Sequence, residues 1–67
     1  MKFKLETILK KYNIDNITHG IAYNISDLSQ IKYWDKTGKE IVVSFNTSEL
    51  SPGIFCFRIA EGSITIL

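Results

Sequence analysis

The spacing of apolar residues switches from a helical period to an alternating one at Ile17 and stays alternating almost to the end of the chain. Before the switch, Leu5, Ile8, Leu9 and Tyr12 fall at i, i+3, i+4 and i+7, one face of a helix, with Glu6, Lys10 and Lys11 elsewhere. Glu6 near the start and Lys10-Lys11 at the end complement the helix dipole, and Asn13 is a left-handed stop residue. A helix of about eight to ten residues is marginal alone, so packing on another element must hold it.

After the switch, Ile17, His19, Ile21, Tyr23 and Ile25 point to one side of a strand, and Thr18, Gly20, Ala22 and Asn24 to the other. Gly20 weakens this strand. The segment from Ser26 to Gln30 is polar apart from Leu28 and reads as a loop or a single helical turn. Ile31 to Asp35 then meets Lys39 to Phe45 across Lys36-Thr37-Gly38, a three-residue hairpin loop with glycine at the left-handed position. Pairing Asp35 with Lys39 sets Tyr33 beside Ile41 and Ile31 beside Val43 on one face, with Trp34 beside Glu40 and Lys32 beside Val42 on the other. A slip of one residue would mix the faces. Past Asn46 to Gly53, where Pro52-Gly53 interrupts the pattern, Glu61-Gly62 forms a two-residue turn that pairs Ile59 with Ile64 and Phe57 with Ile66. Phe55 extends that face, and Ile54, Cys56, Arg58, Thr65 and Leu67 occupy its reverse.

This pattern predicts a single α+β domain over residues 1–67: one short N-terminal helix packed on an antiparallel sheet of about five strands, with mostly sequential connections. A small β-sandwich or barrel with a helical appendage is the alternative, because both faces of the sheet carry apolar side chains. At 67 residues a chain buries only about 60% of its unfolded surface, which leaves little room for a deep cleft. A hydrophobic content of 45% with 22% charged residues is that of a folded protein.

The formal charge of +1 gives no long-range field towards nucleic acid or anionic lipid, although Lys2, Lys4, Lys10 and Lys11 make the amino end locally basic. A single cysteine, Cys56, cannot form an internal disulfide, and no apolar run reaches the ~20 residues of a membrane span or makes a signal peptide. A cytoplasmic protein with no membrane association is expected.

Candidate chemistry is sparse. His19 is the only histidine and lies on the side of Ile17 and Ile21, where a structural or rim role is expected; Cys56 sits mid-strand, where cysteine behaves as a small buried hydrophobe. A zinc site needs three or four ligands at suitable spacing, and a Cys56/His19 nucleophilic pair would need the two side chains brought together by the fold. The acidic residues are scattered, the serines lie in loops and turns, and the four glycines are isolated, so no phosphate-binding loop is present. The chain is therefore read as non-enzymatic and without a cofactor or metal.

The remaining signal is the second sheet face. Lys32, Trp34, Val42, Ile54, Cys56, Arg58 and Leu67 point away from the core face, and that side is too apolar to be purely solvated. Either the sheet curls and leaves Trp34 partly buried, or the face is a contact surface with Trp34 and Arg58 as anchors. On the second reading, Lys32, Trp34, Val42, Ile54 and Arg58 bind a protein partner, and a homodimer is admitted. A single-stranded nucleic acid stacking on the aromatic and basic side chains ranks behind this because the charge is near neutral. Size alone suggests a small inhibitor or adaptor of the kind that bacterial or phage mobile elements encode.

Residues 31 to 59 also carry Ile31-Lys32-Tyr33-Trp34-Asp35-Lys36-Thr37-Gly38-Lys39-Glu40-Ile41, then Ser48-Glu49-Leu50-Ser51-Pro52-Gly53-Ile54-Phe55 and Arg58-Ile59. This stretch resembles the type A C-terminal sorting domains of the type IX secretion system of Bacteroidota. There a strand ending in Asp, a Gly-Lys turn and a Leu-x-x-Gly-Ile-aromatic strand start recur in the same order, and a looser match reaches back to residues 21–25. The resemblance implies a small Ig-like β-sandwich and a non-enzymatic recognition module whose partner is the secretion machinery. The usual Pro-Asn-Pro opening and basic tail of that family have no counterpart here.

Overall fold

The computed structural model describes residues 2–67, with side chains from Lys4 onward, so the side chain of Lys2 lies outside the described residues. Helix α1 (Lys2–Lys11) precedes strands β1 (Ile17–Ile25), β2 (Leu28–Asp35), β3 (Glu40–Ser44), β4 (Gly53–Ala60) and β5 (Ser63–Ile66), with a 3-10 turn at Thr47–Glu49. The five strands form one antiparallel sheet in the order β3-β2-β1-β4-β5. Strands β1 to β3 form a meander and β4 returns to lie beside β1, which is a Greek key. The expected α+β architecture is the one observed.

Leu5, Ile8 and Leu9 of α1 are buried in one cluster with Ile31, Tyr33, Phe57 and Ile64 of the sheet, so the helix covers a single face. The helix ends in a Schellman motif: Asn13, at φ 57°, donates to Lys10 O at 3.2 Å, and Ile14 N donates to Leu9 O at 2.8 Å. Ile14 and Leu9 are both buried, which supplies the hydrophobic contact that accompanies the motif. Contrary to expectation, Glu6 does not meet the positive end of the dipole, because α1 begins at Lys2 and its first turn holds no acidic residue; Glu6 instead lies 4.0 Å from Lys10 as an exposed i,i+4 pair.

Two strand assignments differ from those read off the pattern. Ser26 to Gln30 is not a loop: β1 and β2 join through Ser26-Asp27, with Ser26 at φ 46°, and Leu28, Ser29 and Gln30 belong to β2. A two-residue turn without glycine hides this hairpin. Nor do Ile17 and His19 share a side, because a bulge between them shifts the register. Ile17 enters the core while His19 faces outward, and the Thr18 hydroxyl donates to Trp34 O at 3.1 Å. The expected pairs Tyr33 with Ile41, Ile31 with Val43, Ile59 with Ile64 and Phe57 with Ile66 are all present.

The connection from β3 to β4 crosses the end of the sheet and is pinned in two places. Buried Asn24 donates its amide to Thr47 O at 3.0 Å and to Leu50 O, and accepts from the Ser29 hydroxyl at 3.1 Å. Glu49, with a side chain 18% exposed, accepts from Asn46 N and the Tyr12 hydroxyl, each at 3.0 Å, and pairs with Lys11. That pairing, with the Asn46 amide and Tyr12 hydroxyl after it, holds the Glu49 carboxyl below its ordinary range and raises Lys11. Asp35 is lowered likewise, first by the Thr37 hydroxyl and then by the Lys39 amide, which close the β2–β3 turn.

The inner side of β1 explains Gly20. A Cβ there would stand 2.6 Å from Lys32 O, 2.8 Å from the Phe57 ring and 2.9 Å from Tyr33 Cβ. Gly20→Ala is therefore expected to destabilise the fold by at least about 2 kcal/mol in urea titrations, since neither backbone nor core can yield cheaply; an unchanged midpoint would refute this packing. A second expectation concerns acid. With its carboxyl lowered in the folded chain, Glu49 contributes stability that is complete above its unfolded value of about 4.5 and is lost as pH falls through the lower folded value. Glu49→Gln should thus lower the urea midpoint at about pH 7, and its gap to the parent should narrow as pH falls below about 4.5; a gap that does not change with pH would disprove the linkage.

Candidate interaction surface

Among the described residues, no element covers the face of the sheet turned away from α1. Because the strands are in direct register, its side chains form a grid. One row runs Glu40, Trp34, His19, Arg58 and Thr65 from β3 to β5. The next runs Val42, Lys32, Ile21 and Cys56 and is closed by Leu67, whose amide donates to Cys56 O at 2.8 Å. The third holds Ser44, Gln30, Tyr23 and Ile54.

All five candidate residues lie on this grid. Val42 is 47% exposed and Ile54 56%, Arg58 is exposed, and Lys32 and Trp34 are half-buried against their neighbours. Lys32 and Val42 are directly paired, whereas Trp34 and Arg58 stand two strands apart with His19 between them. His19 leans onto Trp34 with ring centroids 4.9 Å apart at 11°, and its Nδ1 lies 2.9 Å from the Thr18 hydroxyl. The Trp34 indole is therefore one half of a stacked pair.

The pattern-based reading missed the middle column. Ile21, Tyr23 and Ile25 of β1, which the alternation groups with Ile17, face outward, while small Gly20 and Ala22 and hydrogen-bonded Asn24 face the core. The missed signal was size: the Gly-x-Ala spacing leaves room for Phe57. Ile25, Leu28, Val42, Ile54 and Leu67 are the exposed large hydrophobics among the described residues, and every one lies on this face.

One expectation about a reactive group changes. Cys56 is exposed on the outer face instead of buried, because the alternation of β4 turns Phe55 and Phe57 inward. The His19 ring stacks on Trp34 of β2, whereas Cys56 lies on β4, on the other side of β1. Among the described residues, no group of three or more His, Cys, Asp or Glu could hold a metal, and no helix is long and apolar enough to cross a membrane. A cleft of about 320 Å³ beside the helix end is lined by Leu9, Ile14, Ile59 and Ile64 with a mixed charged rim, and its floor is continuous with the core.

The chain matches no protein-family model, no curated protein and no solved structure. The exposure of Cys56 is directly measurable. In dilute solution its thiol should react with an aromatic disulfide reagent at a rate near that of the unfolded chain, and a rate limited by global unfolding would place it inside.

Proposed function

We propose that this protein is a non-catalytic interaction module that binds a protein partner through the outer sheet face. The observation that carries the reading is the confinement of the exposed large hydrophobics to one uncovered face, around the Trp34–His19 stack. An antiparallel sheet with one solvated face normally alternates polar residues outward, and contiguous apolar surface marks a contact. Lys32, Trp34, Val42, Ile54 and Arg58, joined by Ile21 and Tyr23 of the central strand, supply it, with the aromatic and arginine side chains as anchors.

A small inhibitor or adaptor of bacterial or phage origin working in the cytoplasm fits such a surface. Stacking of a single-stranded nucleic acid on Trp34, His19 and Tyr23 beside Lys32 and Arg58 is the competing use, but the exposed aliphatic side chains offer nothing to a phosphate backbone. The segments shared with secretion-sorting domains serve needs of this fold: Asp35 closes a turn and Glu49 braces the crossover. A sorting role would make the secretion machinery the partner.

Trp34→Ala is expected to leave the chain folded and to weaken protein binding by about 2 kcal/mol or more, roughly 30-fold in Kd. Affinity capture followed by mass spectrometry, with circular dichroism as the folding control, makes the measurement. Recovery of nucleic acid alone, released by moderate salt, would overturn the reading.

A further inference from the structure

We propose that the occupant of the outer face is a second copy of this chain, stacked sheet against sheet about a two-fold axis that runs along β1 at Ile21. The inference rests on the reading of that face as a contact surface and adds what it fits. Its ground is the charge pattern of the row Glu40, Trp34, His19, Arg58, Thr65. A two-fold along the strands lays this row on itself in reverse, exchanging β2 with β4 and β3 with β5. Arg58 of the second copy then stands over Trp34 and about one strand spacing, roughly 4.8 Å, from Glu40. Each guanidinium gains an indole face and a carboxylate, and symmetry supplies the pair twice.

The second row is compatible with the same axis. Ile21 meets Ile21, and Val42 meets Leu67. Lys32 lies one strand from the sheet margin, so its stem can cross Val42 and carry the ammonium to the rim. A two-fold perpendicular to the strands fails, because it lays the first row on the third and sets Arg58 against Ile54 and Glu40 against Ser44, leaving both charges unpaired. Size also agrees. Five strands span about 20 Å and the outward residues of β1 about another 20 Å, so two faces bury on the order of 1,000 Å², where specific interfaces begin. Aligned packing of two twisted sheets is a common arrangement for such faces.

The test is sedimentation of the whole chain over about 1–200 µM, a range that brackets a micromolar Kd. A dimer is expected, with Cys56 reacting more slowly as it forms. Arg58→Glu should weaken it at least tenfold, and Arg58→Glu combined with Glu40→Arg should recover most of the loss. In a Cys56→Ser background, a short bismaleimide should couple Ile21→Cys chains much faster than Lys10→Cys chains, whose thiol sits on the helix side. A chain that stays monomeric throughout overturns the inference, as does a dimer indifferent to Arg58→Glu. If the monomer still captures another protein in a Trp34-dependent way, the contact-surface reading survives with a different occupant. If Trp34→Ala and Arg58→Glu alter no association of any kind, both readings fall.

Discussion

The close approach of Phe57 and Tyr33 over the inner side of β1 is the constraint on which the rest of this fold depends. Gly20 has no Cβ to obstruct them, and fully buried Ala22 carries only a methyl. With the middle strand thin on this side, aromatic and branched side chains from the flanking strands can close over it and meet Leu5, Ile8 and Leu9 of the helix. The same choice sends the bulk of β1 outward. Ile21, Tyr23 and Ile25 then form the spine of the opposite face, so the dense core and the apolar outer surface are two consequences of one strand's alternation.

That inversion also marks the limit of what the sequence reveals. The two glycine-containing hairpins were legible to the residue, because Gly38 and Gly62 fix turn geometry and a slip would scramble both faces. The outward placement of Lys32, Trp34, Val42, Ile54 and Arg58 followed from those registers. The first hairpin was not legible, since Ser26 adopts a left-handed conformation more typical of glycine or asparagine. The bulge at Thr18 was hidden too, because a two-residue period cannot show where one residue is skipped. Nothing in the alternation accounts for a buried asparagine at Asn24, whose burial is explained by its bonds to the crossover loop.

The crossover itself is held mainly by polar contacts. Asn24 ties it to the sheet, and Glu49 ties it to the helix through Lys11 and Tyr12, while Phe45 and Leu50 enter the core beside these pins. The helix and the loop therefore brace one another on the inner side. Surface ion pairs alone contribute little, but here the carboxylate also accepts an amide and a phenol, so three donors, two from the helix end and one from the loop, share one carboxylate. Among the described residues, polar reinforcement of this kind is concentrated on the helix side and at the sheet end.

An uncovered apolar face is not forced on a sheet of this size, because alternation would have allowed polar side chains at every outward position. Nor are the sheet edges the obvious points of contact: β3 has five residues and β5 four, short templates for another strand. The face is different. Its aliphatic side chains are threaded by two cations on the strands flanking β1, Lys32 and Arg58, with Glu40 at one margin. Charges placed inside an apolar patch raise the cost of indiscriminate contact, since any occupant that leaves them unpaired must bear their desolvation. On the proposed reading, affinity comes from the aliphatic side chains and the Trp34–His19 stack, Lys32, Arg58 and Glu40 set the selectivity, and a row that presents both signs pairs them with a second copy when it is laid on itself in reverse.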